Sequence, residues 1–200
     1  LVLVSLLAHA LCLNIAHAHD GNQALAAVVL DRDAEQRARD VSRRPVQTLS
    51  FFHIEPGMTV AEALPGGGWY SEILANYLGP EGALYGINYN DEMWPLFGFF
   101  TPERIQQMVA RTAAFTPMIE GFTDNGIKTA AFTFNTVPET MKGTVDRVIF
   151  VRALHNLARF EAQAGTLSEA LGAASDLLKD DGLVGVVQHR APADADDGWA

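Results

Sequence analysis

Glu62-Ala63-Leu64-Pro65-Gly66-Gly67-Gly68 is the stretch on which the reading of this chain turns. It follows a short apolar run, Met58 to Ala63, whose β-branched Thr59 and Val60 mark a buried strand. It precedes Trp69 to Leu78, where Ile73, Leu74, Tyr77 and Leu78 recur at helical spacing. Gly79-Pro80-Glu81-Gly82 stops that helix, and Ala83 to Asn88 is a second strand. Strand, glycine turn, helix and strand within about 30 residues have the size of a βαβ unit. Glycines directly after a buried strand let a ligand approach the backbone without meeting a Cβ. The helix that follows offers unpaired amides and the positive end of its dipole, which suits a carboxylate or a phosphate.

The alternation continues outward on both sides. Asn22 to Ser42 is alanine-rich and then charged, with Asp33 and Arg37 spaced i,i+4, and reads as helix. Arg44-Pro45 interrupts it, and Pro45 suits the first turn of a short helix running to about Phe52. On the other side, Asn90 to Phe100 is aromatic and irregular, Pro102 to Ala114 is helical, and Thr116 to Gly126 fits a helix end and loop. Lys128 to Phe134, Val145 to Val151 and Leu183 to Gln188 are three further strands. Phe160 to Lys179 is an amphipathic helix with Leu167, Ala170, Leu171, Ala174, Leu177 and Leu178 on one stripe. This order predicts an α/β fold, a mostly parallel, doubly wound sheet with helices on both faces. Ligands of such sheets bind beyond the carboxyl ends of the strands, near the point where strand order reverses.

Composition narrows the partners. The 200 residues carry a net charge of -10, which argues against nucleic acid and leaves room for a small-molecule substrate. Arg37, Arg39, Arg43 and Arg44 are interleaved with Asp31, Asp33, Glu35 and Asp40 and read as a solvated helix face. The single cysteine, Cys12, allows no internal disulfide and no cysteine-rich metal site, and no metal-ligand spacing occurs elsewhere. Leu1 to Leu13 is apolar apart from Ser5 and His9, and Ala16-His17-Ala18 supplies a small-x-small cleavage pattern. Residues 1–18 are therefore expected to be an export signal and residues 19–200 one domain, periplasmic and without a stable membrane span after cleavage. A leader that is kept, as a buried N-terminal helix, implies the cytoplasm instead. Leu11 before Cys12 argues against a lipid anchor.

A dinucleotide turn prefers G-x-G-x-x-G, and counting from Gly66 and Gly68 the last place holds Ser71. Glu62, four residues before Gly66, favours another pattern. An acidic residue followed by G-x-G-x-G resembles the class I, Rossmann-like S-adenosylmethionine-dependent methyltransferase motif, with Leu64 where its first glycine usually stands. The ordered segments "IEPGMTVAEALPGGGWYSEILANYLGPEGALYGIN", "DRVIFVRALHNL" and "ASDLLKDDGLVGVVQHR" are similar to a predicted bacterial methyltransferase family whose members often carry export signals. The resemblance covers roughly Arg43 to Arg190. It implies S-adenosylmethionine as cofactor, its methionine end held by the turn, with Glu62, Gly66, Gly67, Gly68 and Asn88 as binding residues. In that superfamily the second strand usually ends in Asp or Glu, which hold the ribose hydroxyls; here it ends in Asn88, an amide without charge. The superfamily sheet also has seven strands, the last two forming a hairpin. About 12 residues follow the fifth strand, so the C-terminal strands are expected to be missing or the sheet edge to need covering.

Arg152, His155 and Asn156 follow the fourth strand, where the superfamily commonly places catalytic or acceptor-contacting groups. His155 is the expected base, because an acceptor that carries a proton needs one, and Arg152 is the second catalytic candidate. The competing reading has His155 capping local backbone and Arg152 paired with an acid. His189, Arg190 and His53 read as structural, and His19 lies beside the new N-terminus. Tyr89, Trp94, Phe97, Phe99 and Phe100 read first as core, and second as a surface for adenine or an apolar acceptor. The expected activity is methyl transfer to a small molecule. The alternative is an exported Rossmann-like binding or interaction domain without that activity, favoured by Leu64, by Asn88 and by the cytoplasmic supply of the cofactor. A nicotinamide- or nucleotide-dependent enzyme is a third reading, and lacks the acidic ribose partner.

Overall fold

The computed structural model describes residues 22–190, 192 and 194. The expected leader with Cys12, and His19 just after it, lie outside them. Helix α1 spans 22–31. It is followed by α2 (Ala34–Arg37), α3 (Asp40–Arg43) and α4 (Pro45–Phe51), then β1 (Thr59–Ala63), α5 (Trp69–Leu78) and β2 (Ala83–Asn88). Next come α6 (Met93–Leu96), α7 (Pro102–Val109), α8 (Arg111–Glu120), β3 (Lys128–Thr133) and a single 3-10 turn at Glu139–Met141. The chain continues through β4 (Val145–Val151), α9 (Leu154–Arg159), α10 (Glu161–Ala164), α11 (Thr166–Leu177) and β5 (Leu178–Val187).

The five strands form one parallel sheet in the order β3-β2-β1-β4-β5. This is the Rossmann-like order, and it reverses between β1 and β4. Alternate residues of the central strands feed two cores. Val60, Leu84 and Ile149 pack under Leu49, Ile73, Leu74, Phe115 and Ile119. Ala61, Ala63, Ile87, Val148 and Phe150 pack under Trp94, Leu157, Ala170, Ala174 and Leu177 on the other face. Cover on both faces explains why the strands are near-continuous apolar runs.

Four stretches differ from the sequence expectation. The helix expected over Asn22 to Ser42 is broken into α1, α2 and α3. Between them the buried Arg32 turns inward, bonding Asp40 Oδ1 at 2.5 Å and the Val29 carbonyl at 3.4 Å. Helix α8 carries on to Glu120 through Pro117, because Phe115 and Ile119 are buried in the core. The helix expected from Phe160 to Lys179 divides at Gly165, and the Glu161 carboxylate accepts from the backbone N–H groups of Leu167 and Ser168. Strand β5 starts at Leu178 rather than Leu183. Val145 pairs with Leu178 and Arg147 with Leu183, so the expected turn Lys179 to Gly182 survives as a bulge in the ladder. Among the described residues no helix is long and apolar enough to cross a membrane.

Candidate functional site

Two strained residues open the crevice. Leu64 follows β1 with φ 56°, and Arg152 follows β4 with φ 59°. A side chain in this left-handed region costs about 1–2 kcal/mol. The backbone N–H of Leu64 is held by the Ile87 carbonyl and that of Arg152 by the Val187 carbonyl, both at 2.7 Å. The two chains thus turn away from the sheet side by side at the reversal point. Leu64 holds a backbone shape natural to glycine, which accounts physically for the glycine usual at this place in the motif it resembles.

The three glycines divide the work. Gly68 has φ 79°, and a Cβ there sits 2.7 Å from Phe122 Cε2 and 2.9 Å from Met118 Sδ. Its role is to bring α5 close to α8, and it does not line either cavity described below. Gly66 has φ 61°, with nothing nearer its Cβ position than the Leu64 carbonyl at 3.9 Å. Gly67 has nothing within 4 Å. Gly66 and Gly67 therefore face open space, as a ligand-binding turn requires.

A cavity of about 630 Å³ lies on one side of the turn. Its walls include Asp33, Glu35, Arg39 and Arg43 from the N-terminal helices, Glu62 from β1, Gly66 and Gly67, and Arg152 and His155 from the β4 end. The N-terminal helices are clasped to α5. The Trp69 indole N–H donates to the Gln36 carbonyl at 2.9 Å, and the Tyr70 hydroxyl donates to the Arg43 carbonyl at 3.0 Å. The guanidinium carbons of Arg43 and Arg32 lie 4.5 and 4.9 Å from the Trp69 ring centre. This corrects the solvated-face reading in part. Arg37, Arg39 and Arg44 are exposed as expected, but Arg39 and Arg43 also line the cavity, and Arg43 is half-buried. Burial, with Arg39 and Arg152 nearby, lowers the pKa of Arg43.

Glu62 is buried, and Ser71 Oγ donates to its Oε2 at 2.5 Å. Burial pushes its carboxyl up to about 7, against the pull of the Ser71 hydrogen bond and the Arg43 charge. His155 is half-buried, with Gln188 Nε2 3.4 Å from its Nδ1. Burial, then the charges of Arg152 and His189, lower its pKa, so the ring is neutral near pH 7. Arg152 makes no ion pair among the described residues. His189 and Arg190 are exposed and line neither cavity.

A second cavity, of about 370 Å³, lies across the turn and shares Leu64, Gly66 and Arg152 with the first. Asn88 lines it at 7 % exposure, and its Nδ2 is buried without a partner. The aromatic group fills the remaining wall. Tyr89 and Trp94 meet edge to face at 5.0 Å, and Phe97 lies 5.5 Å from Phe100. Tyr89, Trp94 and Phe97 are at once core residues and cavity wall, whereas Phe99 is 67 % exposed. Burial pushes the Tyr89 hydroxyl up to about 12, partly offset by a hydrogen bond with Asn156.

Glu62 and His155 on one side, Asn88 on the other, and Gly66 and Arg152 between them are thus brought to one crevice. Arg39 and Arg43 were not expected there, nor was Gln188 behind His155. The pair Trp69-Tyr70 at the start of α5 is the one signal in the sequence that something packs over the turn. Among the described residues no cluster of His, Cys, Asp and Glu is placed to hold a metal ion.

No family model and no curated protein sequence matches the chain. Solved structures similar to it include a SAM-dependent methyltransferase from Aquifex aeolicus, at 18% identity and TM-score 0.48, covering 76% of this chain and 68% of that one. They also include an arsenic(III) S-adenosylmethionine methyltransferase from Chlamydomonas reinhardtii, at 13% identity and TM-score 0.42, covering 80% of this chain and 47% of that one. The YcgJ protein from Bacillus subtilis matches at 18% identity and TM-score 0.47, over 76% of this chain and 53% of that one. The chain spans about half the length of two of these three structures.

Proposed function

We propose that this chain is the S-adenosylmethionine-binding domain of a methyltransferase acting on a small molecule. The observation that carries the reading is the meeting, at Gly66, of a mixed-charge cavity and a cavity floored by the unpartnered Asn88 amide. The cofactor is itself divided in this way, with a zwitterionic amino-acid end beside a sulfonium and a nucleoside end rich in hydroxyls. Arg39 and Arg43 suit its carboxylate, and Glu62 suits its ammonium or sulfonium. Asn88 Nδ2 supplies a donor for a ribose oxygen.

When bound, the cofactor supplies a methyl group on a cationic sulfur, which keeps the electron pair of the broken bond. The chain's own part is alignment and proton transfer. His155 is neutral near pH 7 and accepts the proton that an acceptor hydroxyl or amine gives up. The lone pair that takes this proton is on Nε2 when the Gln188 side-chain amide turns its otherwise unpartnered oxygen toward Nδ1–H. In this proposal residues 1–18 send the domain out of the cytoplasm. A second reading, an exported binding domain without methyl transfer, is favoured by the strain at Leu64 and by the uncharged Asn88.

A thermal-shift comparison separates an S-adenosylmethionine site from one for another nucleotide, because a ligand that binds only the folded state raises its apparent stability. S-adenosylmethionine and S-adenosylhomocysteine are expected to raise the melting temperature and NAD to leave it unchanged. A shift with NAD alone overturns the assignment.

A further inference from the structure

The two cavities differ in charge, and the second carries an imbalance that the cofactor does not explain. Arg111 of α8 and Arg152 and Arg159 of the β4–α9 segment line it, and no carboxylate does. None of the three makes an ion pair among the described residues. The chain as a whole has a net charge of -10, with 24 Asp and Glu against 14 Lys and Arg. Three unpaired guanidiniums around one cavity therefore reverse the prevailing sign locally. Arg159 is braced, its guanidinium carbon 5.2 Å from the Phe160 ring centre, and Phe160 in turn lies 5.0 Å from Phe97.

Adenosine is neutral and the cofactor's sulfonium is cationic, so neither calls for these arginines. A planar guanidinium matches a carboxylate or phosphate through paired N–H groups, and the adjoining rings Trp94, Phe97 and Phe100 match a flat apolar body. We infer that the arginines and rings of this cavity take the methyl acceptor beside the ribose that Asn88 receives, and that this acceptor is a small ring-bearing molecule with an anionic group. Calling the occupant an acceptor rests on the methyl-transfer reading. The anionic site itself rests on the cavity alone.

The test is calorimetry on the full chain with 4-hydroxybenzoate, phenyl phosphate and the neutral analogue 4-hydroxybenzyl alcohol. S-adenosylmethionine binding is measured separately on the same protein. One or both anions are expected to bind, and the alcohol at least about tenfold more weakly. Whichever anion binds tighter tells a carboxylate site from a phosphate site. Arg111→Gln and Arg159→Gln are each expected to weaken the anion by about tenfold, with melting temperatures unchanged because both side chains are exposed. Arg104→Gln, on α7 and bonded to Gln107, serves as the control that changes nothing. Equal binding of the alcohol, indifference to both arginine variants, or no binding of either anion to the folded protein overturns the inference. Anion binding without S-adenosylmethionine binding keeps the anionic site and overturns the methyl-transfer reading alone.

Discussion

The two cavities share Leu64, Gly66 and Arg152, yet are built from opposite materials. The first is overhung by the helices of 33–43 and interleaves carboxylates with guanidiniums. The second is overhung by the 89–111 segment and sets arginines on a wall of rings. Both take their floor from the same strained turns at the carboxyl ends of β1 and β4. The difference shows what the fold supplies and what it leaves open. The sheet provides the crevice and its exposed backbone, and the elements laid over each side decide which chemical groups sit there.

The comparison breaks most readily at Glu62. With its carboxyl pushed up to about 7, it is mostly protonated at pH 6 and mostly ionised at pH 8. A cationic ligand in the first cavity needs the ionised form, so affinity for S-adenosylmethionine is expected to rise about tenfold from pH 6 to pH 8. Glu62→Gln should bind at about the level wild type shows at pH 6, with no slope, as titration calorimetry at several pH values would show. Stability runs the other way. A raised carboxyl favours the fold fully below about pH 4.5, and that contribution is lost as pH rises through about 7. The Gln variant should therefore melt higher than wild type at pH 8.

Asn88 sharpens the comparison from the other side. Asn88→Asp removes the Nδ2 donor proposed for a ribose oxygen, so it should weaken the cofactor by about fivefold. A tighter complex in that variant would mean that a charged acceptor for the ribose hydroxyls matters more than the donor. The smallest effect is expected at Leu64. Leu64→Gly relieves about 1–2 kcal/mol of strain but gives up the packing of Leu64 against the core, so denaturant unfolding should place the two chains within about 1 kcal/mol.

How far the sequence reaches follows the same division. β2 and β4 were legible to the residue, because strands covered on both faces read as bounded apolar runs. The turn was legible because glycines after a strand have few other uses. Arg39 and Arg43 were hidden, since their place depends on Trp69 meeting Gln36 across 33 residues of chain. Arg111 and Arg159 were hidden for the same reason, coming from α8 and from the end of α9, whereas Arg152 was read from its place after β4. Local spacing carries no signal for either. The strain at Leu64 belongs to backbone geometry, and the sequence shows it only as a missing glycine.

Gly67 offers the most direct test of the central claim. Its φ is not positive and its Cβ position is open, so Gly67→Leu fills the first cavity without straining the turn. Calorimetry with S-adenosylmethionine should show micromolar binding to wild type, about -8 kcal/mol, and none to the variant at an unchanged melting temperature. No binding to the folded wild type, or equal binding to both, would contradict the assignment of this crevice to the cofactor.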